Sequence, residues 1–195
     1  MSRPLRALFL ILFVAACGAR DTSAPKSLDN ACSILDQRPH FVRAFKATER
    51  KWNVPVHVQM ATLYQESKFI ADARTPFRWS LGVIPMGRQS SAYGYAQALD
   101  ATWEEYQKAT NNPRARRDDI RDAADFMGWY FNITRDRNGI SLNDARAQYL
   151  NYHEGHTGYR RGTHNSKAWL LRISSEVAAR AGTYEAQLRS CRRFR

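Results

Sequence analysis

Val54-Pro55-Val56-His57-Val58-Gln59-Met60-Ala61-Thr62-Leu63-Tyr64-Gln65-Glu66-Ser67-Lys68-Phe69 reads as a helix that carries a carboxyl group near its end. Asn53 is expected to cap it, and Pro55 suits a first turn, where no backbone donor is missed. Val56, Met60, Leu63, Tyr64 and Ser67 recur at helical spacing and form the expected inward stripe. At about 100 degrees per residue, Glu66 falls on the border of that stripe. Its side chain is therefore expected in the wall of a cleft, half out of water.

Working outward, the spacing predicts more helix on both sides. Pro39 opens a stretch in which Phe41, Phe45, Thr48 and Trp52 recur turn by turn. Residues 73–91 lack a period and hold Pro76, Gly82, Pro85 and Gly87, which predicts a long loop with a short hairpin around Leu81 to Ile84. Loops of this length in compact domains are usually functional. Asp100 or Thr102 starts a helix with Trp103 and Tyr106, and Glu104 and Glu105 suit its positive end. Asp118 or Asp119 starts the clearest helix, with the stripe Ile120, Ala123, Ala124, Met127, Tyr130 and Phe131. Ser141 with Asp144 resembles a capping box before Ala145 to Tyr152. A last helix carries Trp169, Leu170, Ile173 and Val177 and is expected to end near Gly182. The expectation is a mainly α domain over residues 32–195, with strand confined to the loop.

Several motifs stand in a telling order. They are Val54-Pro55, Met60-Ala61, Gln65-Glu66-Ser67 with Phe69, and Ser91-Ala92-Tyr93-Gly94-Tyr95-Ala96-Gln97 followed by Thr102-Trp103; Asp119-Ile120 and Asn151-Tyr152-His153-Glu154-Gly155 complete the series. From about Phe41 to Tyr159 the chain resembles the lytic transglycosylase catalytic domain, the soluble-lytic-transglycosylase-like group related to goose-type lysozyme. The resemblance implies a lysozyme-like all-helical fold with the loop or hairpin beside the cleft. It also implies cleavage of the MurNAc–GlcNAc β-1,4 bond of peptidoglycan without water. Glu66 would protonate the leaving oxygen and then, as base, take the proton of the muramoyl 6-hydroxyl, which closes a 1,6-anhydro ring. Burial beside aromatic rings raises a carboxyl pKa in the direction an acid needs. An internal nucleophile at high effective molarity removes the need for the second carboxylate of standard glycosidases, and no metal or cofactor is implied.

The same resemblance assigns roles at the substrate to Ser67, Gln97 and Tyr152, and Tyr93, Tyr95 and His153 are expected beside them as further substrate contacts. Ser67 would bind substrate or orient Glu66, or else is a small packing residue. Gln97 would present its amide to sugar, or belongs to a plain turn; Tyr152 would steady the carboxylate, or is a core tyrosine. Tyr93, Tyr95, Trp79 and Trp103 suit sugar stacking, although aromatics at these spacings are more often core. Tyr95-Ala96 and His153 depart from the family's usual Leu-Met and Asn, which bears on subsite shape. A rival constellation is zinc on His153, His156 and His164, although the spacing is not the i, i+4 pair of a zincin helix. The chain is also compatible with a hydrolysing muramidase that uses Glu154 or Asp72 as second carboxylate, and with a non-catalytic peptidoglycan-binding lipoprotein.

The N-terminus reads as an address. Arg3 and Arg6, an apolar run from Ala7 to Phe13, and Val14-Ala15-Ala16-Cys17 form an export signal over residues 1–16, with the last four resembling a bacterial lipobox. Cys17 is thus the expected lipid anchor, residues 17–31 a tether, and the periplasmic face of the outer membrane the expected location. Cys32 and Cys191 are expected to pair in an exported chain, with two free thiols as the alternative. The net charge is +12, or +10 without Arg3 and Arg6, which favours an anionic partner. Export and the lack of any reading-helix pattern point away from nucleic acid and toward peptidoglycan strands and lipid headgroups. Arg114, Arg116, Arg117, Arg160, Arg161, Arg192, Arg193 and Arg195 read as a solvated basic surface, and a monomer is expected.

Overall fold

A computed structural model describes residues 21–81 and 83–194. The expected signal peptide and Cys17 lie outside the described residues, as does the first part of the expected tether. The described residues form seven α-helices: α1 (Ala31–Gln37), α2 (Pro39–Trp52), α3 (Val56–Ser67), α4 (Asp100–Ala109), α5 (Ile120–Asn138), α6 (Ala145–Arg160) and α7 (Ala168–Leu188). A 3-10 turn, Thr163–Ser166, joins the last two, and an antiparallel hairpin, β1 (Phe77–Ser80) with β2 (Ile84–Arg88), interrupts the helices. The mainly α, lysozyme-like expectation holds, and among the described residues strand is confined to the 73–91 segment.

Helix α3 is the centre of the domain, packed by α2, α5, α6 and α7. Val56, Val58, Gln59, Met60, Ala61, Thr62, Leu63 and Ser67 are all buried, so nearly its whole circumference is covered, mostly by apolar or small side chains, with the Gln59 amide donating to Phe45 O and Val54 O. The single stripe read from spacing was too narrow, and Tyr64 is half-exposed. A helix apolar on most sides needs neighbours on most sides, and the four flanking helices supply them.

Helices α2 and α5 pack extensively against each other. A Cβ built on Gly128 would lie 2.4 Å from Trp52 Cδ1 and 2.8 Å from Thr48 Cγ2, so glycine leaves the room that these two α2 side chains fill. Asp125 locks the same contact: it accepts from Trp52 Nε1 at 2.7 Å and Lys51 Nζ at 2.8 Å in α2, and from the Tyr106 hydroxyl at 2.8 Å in α4.

Several local expectations change. Asn53 does not cap α3; it closes α2 in the left-handed conformation (φ 59°), and Glu49 reaches across to accept from Val56 N at 3.2 Å. Asp144 alone caps α6 by accepting from Ala147 N, while Ser141 accepts from Asn143 N. Helix α6 continues past Tyr152 through a kink at Gly155 (φ 72°, ψ 160°), and α7 runs past Gly182 to Leu188. Residues 21–30, expected as tether, lie on the domain: Pro25 is buried, Thr22 O accepts from Ala71 N at 3.0 Å, and Arg38 meets Asp21 at 2.5 Å. These backbone and ion-pair contacts are invisible to a reading of composition.

Cys32 and Cys191 form a disulfide with Cα atoms 5.2 Å apart across a separation of 159 residues, tying α1 to the end of α7. A loop this long restricts the unfolded chain by up to about 5 kcal/mol. Reduction, or Cys191→Ser, should lower unfolding free energy by roughly 2–5 kcal/mol in urea titrations. A midpoint unmoved by reductant would show that the bridge contributes nothing.

Candidate active site

Glu66 stands on the last turn of α3, which ends in two consecutive left-handed residues, Lys68 (φ 53°) and Phe69 (φ 62°). Lys68 N closes the helix on Tyr64 O, and Phe69 turns into the core beside Phe41 with ring centroids 6.1 Å apart. Left-handed backbone at non-glycine residues costs about 1–2 kcal/mol each, and Phe69's complete burial offsets it. The sharp exit fixes the direction in which the chain leaves the site.

The Glu66 residue is partly exposed, but its carboxyl group is enclosed by protein, and that enclosure governs its titration. Burial raises its pKa from 4.5 to about 7, against the opposing pull of a hydrogen bond from the Tyr149 hydroxyl and the charge of Lys68. Tyr149 and Tyr152 both belong to α6, three residues apart and so on one face. Burial first, and then the nearby Glu66 charge, pushes both phenols above their usual range, so both stay protonated. The sequence reading missed Tyr149. Its i, i+3 relation to Tyr152 was the available signal.

The Tyr152 hydroxyl donates to Ala96 O at 2.5 Å, which brings the Gly94–Gln97 turn against the same helix. Gln97 sits in the left-handed region (φ 48°), and its side-chain nitrogen donates to Ala73 O and Gly94 O, both at 2.9 Å. The amide expected to face sugar thus spends its donor on holding the turn to the root of the hairpin. Gly94 (φ 80°) is forced by space as well as by conformation, since an added Cβ would fall 2.2 Å from Arg117 O. Arg117, read as part of a solvated surface, instead donates to Ser91 O and Ala98 O at 3.1 and 2.9 Å and meets Asp100 at 2.8 Å. It is the clamp that shapes this loop.

The remaining expected contacts disperse. Ser67 is buried and bonds back to Leu63 O at 3.3 Å within its own helix, which is the packing alternative. Tyr95 is buried edge-on against Phe41 at 5.8 Å, so the core reading replaces sugar stacking there. Tyr93 has the guanidinium groups of Arg74 and Arg117 over its ring, at 4.2 and 5.3 Å. Trp103 is buried against Tyr106 and Phe126, while Trp79 is exposed on the hairpin. One position after Tyr152, His153 points along another face to Glu154 Oε1 at 3.1 Å and the edge of Trp169.

The histidines and the candidate second carboxylates can be placed too. His156 stacks on Tyr130, His164 on Tyr159, and His153 meets Trp169, so the three histidines face three different neighbours. Among the described residues no three His, Cys, Asp or Glu side chains gather as metal ligands. Burial would raise Glu154, but hydrogen bonds from Lys167 (2.6 and 2.9 Å), Thr163 and His153 hold it down at about 2. Asp72 is exposed. Neither carboxylate is among the groups that shift Glu66.

Among the described residues, Glu66 is the carboxyl that burial pushes up to about 7, and it stands on the last turn of the central helix. The chain matches the Transglycosylase SLT domain family over residues 5–191 and belongs to that family. No curated protein matches it.

Glu66's burial has a sign that stability measurements can read. Between pH 4.5 and about 7 the folded carboxyl keeps a proton that the unfolded chain has lost, so stability falls as pH rises through this window. The full penalty, roughly 3 kcal/mol, is present above pH 7 and absent below pH 4. Glu66→Gln should therefore unfold at higher urea than wild type at pH 8 and at nearly the same urea at pH 4. An identical difference at both pH values would mean that the carboxyl is not held out of water.

Proposed function

We propose that the protein is a peptidoglycan lytic transglycosylase in which Glu66 is first acid and then base. One observation carries the reading: Glu66, on the last turn of α3, is the carboxyl that burial pushes up to about 7, and it stands beside the protonated phenols of Tyr149 and Tyr152 on α6. Such a group can give and take a proton at the same pH. The neutral acid donates to the GlcNAc O4 as its bond to MurNAc C1 breaks. The resulting carboxylate takes the proton of the MurNAc 6-hydroxyl, whose oxygen bonds to C1. Glu66 ends protonated, and no water is consumed.

The family match supports action on peptidoglycan, and the disposition of Glu154 and Asp72 favours ring closure over hydrolysis. Tyr149 steadies the carboxylate in this scheme, Tyr152 supports the Gly94–Gln97 turn, and the Gln97 side-chain oxygen is the part of that amide offered to sugar. Cys17 is acylated in the same reading, and the enzyme works as a monomer at the periplasmic face of the outer membrane, without metal or cofactor.

Digestion of sacculi followed by mass spectrometry tests the reaction. The wild type should release 1,6-anhydroMurNAc ends, and Glu66→Gln should lose at least about a thousandfold in rate while still sedimenting with sacculi. Reducing ends would replace the scheme with hydrolysis, and intact strands with simple binding. Because the acid form starts the reaction, activity should decline above about pH 7. Tyr149→Phe removes a bond that lowers the Glu66 pKa, so this alkaline limb should move upward, by roughly half a unit to one unit. A pH profile identical to that of wild type would remove Tyr149 from the site.

A further inference from the structure

The hairpin carries apolar side chains that the rest of the domain leaves open to solvent. Exposure is 42% at Phe77 near its root, 58% at Trp79, and 87% and 74% at Leu81 and Val83 around the turn, with Ile84 and Met86 about half exposed on the returning strand. The apolar groups occupy both strands, the two beside the turn are the barest, and the pairing of Trp79 with Pro85 and of Ser80 with Ile84 sets Trp79 and Ile84 on opposite faces. That is the form of a wedge, whereas a platform for stacking sugar or gripping a peptide would concentrate them on one face. Residues 73–99 contain Arg74, Arg78 and Arg88 and no acidic residue, so the wedge has a basic shoulder.

Where the chain enters the domain matters equally. Thr22 O accepts from Ala71 N, and Ala71 leads directly into the hairpin's root at Ala73, which Gly94 and Gln97 hold. Asp21 is only four residues beyond Cys17, a span of at most about 14 Å. An acyl group on Cys17 would thus keep this side of the domain close to the bilayer. This orientation rests on the anchor in the proposed function.

We infer that the β1–β2 hairpin is a second membrane contact, which dips its tip into the headgroup region of a bilayer carrying anionic lipid while Arg74, Arg78 and Arg88 meet the phosphates. Apolar residues with an interfacial tryptophan and a basic flank bind such surfaces through combined burial and charge. The outer backbone edges of a two-stranded hairpin remain unpaired, which limits entry to the boundary zone and excludes the hydrocarbon centre. With strands of four and five residues, the hairpin extends roughly 13–17 Å, enough for its tip to reach that zone while its root stays outside. The enzyme would then be held at two points, and the hairpin root would hold Gln97 at a set height above the surface.

The test uses a chain beginning at Gly18 and made without acylation, because the core and both bridged cysteines lie within residues 21–194. It should sediment with vesicles of phosphatidylethanolamine and phosphatidylglycerol, less with phosphatidylcholine alone, and less in high salt. A Trp79→Ser, Leu81→Ser, Val83→Ser variant should lose at least about tenfold in partitioning, with an unchanged helical spectrum and intact disulfide. Absence of vesicle binding by the parent, or equal binding by the variant, overturns the inference. So does a variant that loses sacculi but keeps vesicles, which would make the hairpin a glycan contact. Palmitate labelling of the full chain, with Cys17→Ala as control, reads the anchor separately. An unlabelled chain whose hairpin still binds vesicles would refute the anchor and support the wedge.

Discussion

A carboxyl group held away from water at the end of the central helix is the constraint around which this domain is arranged. Water stabilises a carboxylate strongly, so enclosing Glu66 works against folding at neutral pH, and the surrounding helices must bury enough apolar surface to offset it. They do so by surrounding α3 on most of its circumference. Tyr149 returns part of the lost solvation through one hydrogen bond. The balance leaves a group that is half protonated near neutrality, which is what a residue serving in turn as acid and base requires.

The Gly94–Gln97 turn is held in place by contacts that do not involve substrate. Arg117 clamps the carbonyls of Ser91 and Ala98, Gly94 fits where any side chain would strike the Arg117 backbone, and Gln97 ties the turn to Ala73. Tyr152 then fastens this assembly to α6. Polar residues that a motif comparison assigns to sugar thus hold the frame. Pre-set loops of this kind lower the ordering cost of binding a long, flexible polymer.

Much of this was legible along the chain. The stripe from Ile120 to Phe131 is buried as its spacing indicates, Pro39 and Asp100 open helices where expected, and the hairpin falls within the segment that lacks a period. The ordered motifs led to the family to which the chain belongs. What misled was local punctuation: one helix was expected to stop at Tyr152, shortly before Gly155, and the last near Gly182. At Gly155 the helix kinks and resumes, with Tyr159 beyond it stacked on His164, and Lys167 bound to Glu154. Around Gly182, Ala181 and Tyr184 are buried and the bridge at Cys191 holds the end of α7, so packing overrides the glycine's weak propensity.

Sequence alone indicated the helices from α2 onward, singled out Glu66 as the candidate carboxyl and paired the two cysteines, because periodicity and motif order are properties of a line of residues. Only the tertiary structure decided that Tyr149 donates to Glu66, that Tyr95 belongs to the core, that Arg117 is a clamp, and that Glu154 is neutralised by Lys167. Those outcomes depend on which groups from distant segments share a few ångströms of water-poor space. Hydrogen bonding, charge and desolvation act across that space and are blind to separation along the chain.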